Sequence, residues 1–143
     1  MKYIPVKYIL DTNFVSELMK GSEPAVARLA ATRPENVSVP HPVFAEIAYG
    51  IERLPPSNRR TRLQERFDVM KTQFPRTEWS DAVSETFGRI KTALEKRGYR
   101  IEDFDAAIAA HAVASGATLV TANIGQMVRV PGLRVEDWTT ESR

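Results

Sequence analysis

Three acidic residues, far apart in the chain, stand in settings where a carboxylate is unusual. Asp11 directly follows the apolar run Tyr8–Leu10, while Glu46 and Asp105 lie within apolar stretches of helical pattern. Acids are seldom buried without a partner, although each of these alone could also serve a structural role, such as a favourable charge in the first turn of a helix. Three such acids are better explained together if they share a cation.

The composition favours a hard divalent cation over zinc. The chain contains no cysteine and only two histidines, whereas zinc sites are usually built from cysteine and histidine. His41, between two prolines, is predicted to lie in a loop. His111, six residues after Asp105 on a helix, is predicted to face away from it and to serve either in packing or in a structural hydrogen bond. Mg²⁺ and Mn²⁺ accept carboxylate oxygens, and such an ion polarises a phosphodiester and lowers the pKa of an attacking water.

Short apolar runs alternate with helical stretches along the chain. Strands are predicted at residues 8–10, 36–39, 118–121 and 133–136, the last at a sheet edge, and helices at residues 12–19, 23–32, 42–54, 58–74, 80–97 and 102–115. Thr12 or Asn13 is the predicted cap of the first helix. The alternation favours an α/β fold with a mainly parallel sheet. Because sites in such sheets lie beyond the carboxyl ends of the strands, Asp11, Thr121 and Asn123 are expected to meet there.

The length and composition fit one globular domain over residues 1–143. The chain is 43% hydrophobic and 27% charged, which is ordinary for such a domain. No run of about 18 apolar residues occurs, so no membrane span is expected. The net charge of +2 permits binding to a polyanion without indicating it.

Four segments, in order and covering most of the chain, together resemble the motifs of the PIN-domain family. They are residues 9–13 (ILDTN), 43–54 (VFAEIAYGIERL), 103–112 (DFDAAIAAHA) and 119–123 (LVTAN), the last continued by 130–133 (VPGL). The second has the form found in VapC and FitB toxins, the ribonucleases of VapBC type II toxin–antitoxin systems. The resemblance implies a PIN-like three-layer α/β/α fold, with a short, mainly parallel sheet of four or five strands flanked by helices.

The resemblance also implies roles for individual residues. Asp11, Glu46 and Asp105 would be the catalytic acids that bind Mg²⁺ or Mn²⁺. The side chains implied to orient these carboxylates, a water or the neighbouring loop are Thr12, Asn13, Thr121, Asn123 and Gln126.

Gln126 departs from the family pattern. The family often has a further acid three residues after the asparagine that is Asn123 here, and Gln126 occupies that position. A neutral amide can hold a water but cannot replace the charge, which argues against a second tightly held metal ion.

The resemblance implies a Mg²⁺-dependent endoribonuclease that cleaves RNA by metal-activated water and leaves a 5′-phosphate and a 3′-hydroxyl. It would be the toxin of a type II toxin–antitoxin system in the bacterial cytoplasm. The alternative is a catalytically weakened PIN-like module that binds RNA or protein, and Gln126 is the reason to keep it open. Basic residues expected to meet the RNA lie on the fourth and fifth predicted helices, at Arg59, Arg60, Arg89 and Lys91.

The partners implied are a VapB- or FitA-like antitoxin, whose C-terminal segment would cover the active-site groove, and the RNA substrate. A homodimer is expected, forming a heterotetramer or larger assembly with the antitoxin, and DNA would be bound only through the antitoxin. Apolar helix faces in the N-terminal half are expected to be exposed in the isolated chain.

Overall fold

A parallel sheet of short strands forms the centre of the computed structural model, which describes residues 6–140. Residues 1–5 and 141–143 of the predicted domain lie outside the described residues. The strands, in chain order, are β1 (Tyr8–Leu10), β2 (Val37–Pro40), β3 (Arg76–Thr77), β4 (Thr118–Val120) and β5 (Arg134–Glu136). Their order across the sheet is β3-β2-β1-β4-β5, and each of these neighbours pairs in parallel.

Helices connect the strands, because parallel neighbours need long crossover connections. Within residues 6–140 the α-helices are α1 (Thr12–Met19), α2 (Glu23–Ala30), α3 (His41–Glu52), α4 (Asn58–Gln73), α5 (Asp81–Lys96), α6 (Asp103–Ser115) and α7 (Ile124–Met127). The predicted α/β fold with a parallel sheet flanked by helices is therefore confirmed. No helix of the described region is both long and apolar enough to cross a membrane.

Two short elements were not predicted from the sequence. Strand β3 has two residues and α7 has four, so neither is long enough to produce a recognisable periodicity. β3 forms by pairing with the free side of β2, where Val39 and Pro40 are in register with Arg76 and Thr77. The hydroxyl of Ser38 also donates to the carbonyl of Pro75.

Two predictions at helix starts were wrong. The first helix is capped by Asp11, whose carboxylate accepts a hydrogen bond from the backbone N–H of Thr12 at 2.8 Å; neither Thr12 nor Asn13 is the cap. His41 is the first residue of α3, not a loop residue. Pro42 does not prevent this, since a proline is tolerated in the first turn of a helix.

The core lies between the central strands and α6. Ile9 and Leu10 of β1 and Leu119 and Val120 of β4 are fully buried, and so is most of α6 from Ala106 onward. Helix α6 packs mainly against α5. Because α6 is fixed on several sides, the position of its first turn, which carries Asp105, is fixed as well.

His111 is buried in this core without a hydrogen-bond partner among residues 6–140. Its ring lies perpendicular to that of Trp79, with the centroids 5.3 Å apart. Burial, with a smaller contribution from His41, lowers the pKa of His111 to about 4. Of the two structural roles predicted for His111, packing is confirmed, and no hydrogen bond is formed within the described residues.

We expect His111 to make the fold sensitive to mild acid. The pKa of His111 is lower in the folded state than in the unfolded state. As the pH falls from 6.5 towards 4, the unfolded chain therefore binds a proton before the folded chain does. The folded state loses stability over that range. The contribution is about 1–2 kcal/mol at pH 5. Urea unfolding of the wild type and His111→Phe at pH 7.5 and 5 checks this, because other titrating groups are common to both proteins. An identical pH dependence in the two proteins would contradict it.

Candidate active site

The pairing of β1 with β4 brings Asp11 and Thr121 side by side. Leu10 is in register with Val120, so the next residue of each strand emerges at the same sheet edge. Asp11 is 2% exposed and Thr121 is fully buried. The Thr121 hydroxyl donates to Asp11 Oδ2 at 2.8 Å, and the Asn13 amide donates to the same oxygen at 3.4 Å. Neutral donors thus hold a buried carboxylate in one orientation.

Thr12 links this carboxylate to the second acid. Its backbone N–H donates to Asp11 Oδ1, and its hydroxyl donates to Glu46 Oε1 at 2.6 Å. Glu46 lies on α3 and is partly buried. Since α1 packs against α3, the first residue of α1 orients two acids that are 35 positions apart in the sequence.

Asp105 completes the set from the first turn of α6. Its side chain is partly buried, and its pKa is raised to about 6 by that burial and, to a lesser extent, by the charges of Asp11, Glu46 and Glu102. Burial also raises the pKa of Asp11, and Glu46 adds to this, while the hydrogen bonds from Thr121 and Thr12 oppose it. The three predicted acids therefore lie near enough to repel one another.

The donor set suits a hard divalent cation, which would offset this repulsion with oxygen ligands. Within residues 6–140, however, no three acidic or histidine side chains are grouped closely enough to hold an ion as they stand. Binding an ion would therefore require the carboxylates to turn towards one another. Glu46 and Asp105 are less buried than Asp11, so they are the two expected to turn.

A polar network extends from Asp11 into the loop after β4. Asn13 accepts from the backbone N–H of Ala122 at 2.7 Å, and Thr121 Oγ1 accepts from the backbone N–H of Asn123 at 2.9 Å. The Asn123 amide donates to Gln126 Oε1 at 2.5 Å. Gln126 thus joins the network through Asn123.

Two of the predicted RNA-binding residues lie on α5 and have partners. Lys91 is bonded to Asp103 at the start of α6. Arg89 donates to the hydroxyl of Thr86, one helical turn earlier. Both side chains therefore already have a partner within the chain.

The other two predicted RNA-binding residues lie at the start of α4. Arg60 forms an ion pair with Glu52 at 3.2 Å and donates to the carbonyl of Leu54, which ties the end of α3 to α4. Arg59 is exposed. RNA binding by these four residues stays a prediction.

An apolar cleft of about 510 Å³ lies between α1, α2 and α4. Its lining is mostly aliphatic and aromatic, with Leu18, Met19, Leu29, Val69, Met70 and Phe74 as the apolar members. Val69 is 52% exposed. An apolar cleft with an exposed valine in its lining is a candidate docking surface for another protein.

A second, polar pocket was missed from the sequence. It lies beside Asn123 and Gln126 and includes Tyr99, Arg100 and Arg129. The residues come from separate parts of the chain, so no linear spacing could have shown that they meet.

Comparisons with known proteins agree with this architecture. The profile of the PIN domain matches residues 8–133. The chain is 32% identical over 133 residues to ribonuclease VapC2 of Rickettsia felis, covering 92% of this chain and 97% of that protein. It is 28% identical to the tRNA(fMet)-specific endonuclease VapC of Shigella flexneri, with 94% and 99% covered. The crystal structure of VapBC2 from Rickettsia felis, bound to a DNA fragment from its promoter, contains a chain that superimposes with a TM-score of 0.82 at 29% identity, covering 93% of this chain and 99% of that one.

Proposed function

Because the chain belongs to the PIN-domain family and resembles its VapC members over nearly its whole length, we propose that it is a Mg²⁺- or Mn²⁺-dependent endoribonuclease, the toxin of a type II toxin–antitoxin system. The observation that carries the proposal is the arrangement of the acids. Thr121 and Thr12 orient Asp11 and Glu46 beyond the end of β1, and Asp105 feels the charge of both.

In this proposal Asp11, Glu46 and Asp105 hold the ion, which when bound polarises the phosphodiester and lowers the pKa of the attacking water. Thr121 and Asn13 keep Asp11 in place by donating to its Oδ2. Asp105 is ionised above pH 6, given its raised pKa, so it contributes its charge at neutral pH.

Hydrolysis of this kind leaves a 5′-phosphate and a 3′-hydroxyl. The metal-free route to a cyclic phosphate commonly needs a general acid and a general base beside the RNA, most often histidines. His111 is fully buried behind Trp79 and cannot reach a substrate. His41 is exposed at the start of α3. It therefore has no second accessible histidine with which to form a general acid–general base pair.

The second candidate is a PIN-like module that binds RNA or protein without cutting. Gln126 favours it, because an amide bonded to Asn123 supplies no charge for a metal ion. RNA binding that persists without any cleavage in Mg²⁺ or Mn²⁺ would support this alternative.

The proposed activity is tested by incubating the purified protein with a pool of structured and single-stranded RNAs, in Mg²⁺, in Mn²⁺ and in EDTA. We expect cleavage with either ion, none in EDTA, and fragments that carry a 5′-phosphate. Cleavage that is unchanged in EDTA, or fragments that end in a cyclic phosphate, would contradict the proposal.

We further propose that a VapB- or FitA-like antitoxin occupies the apolar cleft between α1, α2 and α4. A segment with apolar side chains would bury the exposed face of Val69 and continue towards Glu46, which borders a smaller pocket beside Met19. We expect a homodimer that forms a heterotetramer or larger complex with the antitoxin, with DNA bound through the antitoxin alone.

Val69→Glu is expected to weaken antitoxin binding by about 100-fold, because the complex must bury a charge in a largely apolar cleft. RNA cleavage should remain, since Val69 lies away from the acids. The control is Val128→Glu, which places the same charge at a similarly exposed valine, 55% exposed, outside the cleft. Calorimetric titration with the cognate antitoxin measures both, and equal affinities for the two variants would place the docking surface elsewhere.

A further inference from the structure

The polar pocket beside the candidate active site has the composition of an anion site. Its volume is about 260 Å³, and its lining contains Arg100 and Arg129 together with the amides of Asn123 and Gln126, but no carboxylate. Within the described residues, neither arginine lies within ion-pair distance of an acid. Two guanidinium groups at a pocket whose lining contains no carboxylate favour binding of a phosphate.

Arg129 is held in position by its neighbours. Its guanidinium lies 4.2 Å from the centre of the Tyr99 ring, and its backbone carbonyl accepts a hydrogen bond from Arg97 at 3.2 Å. The Arg97 guanidinium lies 5.3 Å from the same ring. A guanidinium that rests on an aromatic ring keeps its N–H groups available for an anion, and less conformational entropy is lost when it binds.

The pocket is joined to the acids by a short chain of hydrogen bonds. Asn123 and Gln126 line the pocket. The backbone N–H of Asn123 donates to Thr121 Oγ1 at 2.9 Å, and Thr121 Oγ1 donates to Asp11 at 2.8 Å. An anion in the pocket therefore lies close to the site of the proposed hydrolysis. A further acid at position 126 would repel such an anion, whereas the neutral Gln126 does not.

We propose that this pocket binds a phosphate of the RNA chain next to the cleaved bond, with Arg129 and Arg100 as its ligands and Tyr99 as the residue that positions Arg129. The proposal rests on the proposed ribonuclease function and adds a substrate subsite to it. Arg129 is the principal ligand, because Arg100 also borders a neighbouring pocket that contains Glu95, Glu102 and Asp103.

The test is the affinity of a short, mixed-sequence single-stranded RNA, measured by fluorescence anisotropy in EDTA so that no bond is cut. Arg129→Gln should weaken binding by about 10-fold and reduce the slope of log affinity against log salt by about 0.7, the value for one lost phosphate contact on a single strand. Arg100→Gln should act in the same direction. The matched control is Arg33→Gln. Arg33 is an exposed arginine that precedes β2 and does not line the pocket, so its substitution should leave affinity and slope unchanged.

Variants of Tyr99 distinguish the positioning of Arg129 from the effect of its charge alone. Tyr99→Leu should weaken binding although no charge is removed, and Tyr99→Phe, which keeps the ring, should restore it. If Arg129→Gln and Arg33→Gln bind RNA equally while the wild type still cleaves in Mg²⁺, the pocket proposal is overturned and the proposed function stands. If the wild type neither binds nor cleaves RNA, the proposed function fails and the pocket proposal fails with it.

Discussion

Asp11→Asn is expected to reduce RNA cleavage in Mg²⁺ by at least about 1,000-fold in kcat/KM, which corresponds to about 4 kcal/mol of transition-state stabilisation. Asp11 is the most buried of the three acids and the only one that accepts hydrogen bonds from Thr12, Asn13 and Thr121 together. An asparagine removes the negative charge and presents an NH₂ group to these donors. The proposed ion would then lose the ligand whose position is most firmly fixed.

Asp81→Asn is the matched control for this substitution. Asp81 is an exposed acid in the first turn of α5, so its removal changes the net charge equally without touching the site. Initial cleavage rates of the wild type and both variants, with thermal unfolding to show that each is folded, make the comparison. Asp11→Asn cleaving as fast as Asp81→Asn would remove Asp11 from the proposed mechanism.

Asp105→Asn is expected to abolish cleavage and at the same time to stabilise the metal-free protein. Burial and the nearby acids raise the pKa of Asp105 to about 6, so at pH 7.5 the folded state carries a charge that it disfavours. Removing the charge should increase the free energy of unfolding by about 1–2 kcal/mol. The gain is present above pH 6 and disappears as the pH falls towards 4, because the wild-type carboxyl then becomes protonated in the folded state.

Asp103→Asn provides the control on the same helix. Asp103 is exposed and bonded to Lys91, so its loss removes a surface ion pair and should change stability by less than about 1 kcal/mol. Urea unfolding in EDTA at pH 7.5 and pH 4 measures both variants. A loss of stability in Asp105→Asn at pH 7.5 would show that the charge is already compensated in the folded chain.

The candidate acids could be singled out in the sequence because they depart from their local patterns. Asp11 directly follows a buried strand, and Asp105 lies in the first turn of α6, whose later residues are almost all apolar or small. In a parallel sheet, Asp11 and Thr121 are expected at the carboxyl ends of neighbouring strands, and the register of β1 with β4 places them there. Neighbours that are set by the topology of the sheet can therefore be predicted from the sequence alone.

Contacts between side chains of distant elements could not be predicted in this way. The bond from Thr12 to Glu46 depends on how α1 packs against α3, and the pairing of Arg129 with Tyr99 depends on where α7 ends. The cap of α1 was mistaken because Asp11 serves both as the cap and as a candidate ligand. The structure shows Asp11 as the cap, and the role of ligand is part of the proposal.

The central claim is that Asp11, Glu46 and Asp105 share a divalent ion, and direct Mn²⁺ binding, followed by electron paramagnetic resonance without RNA, tests it most directly. We expect saturable binding of one Mn²⁺ per chain, displaced by Mg²⁺ and lost in Asp11→Asn but not in Asp81→Asn. Equal Mn²⁺ binding by the wild type and Asp11→Asn, or no binding by the wild type at millimolar Mn²⁺, would contradict the claim.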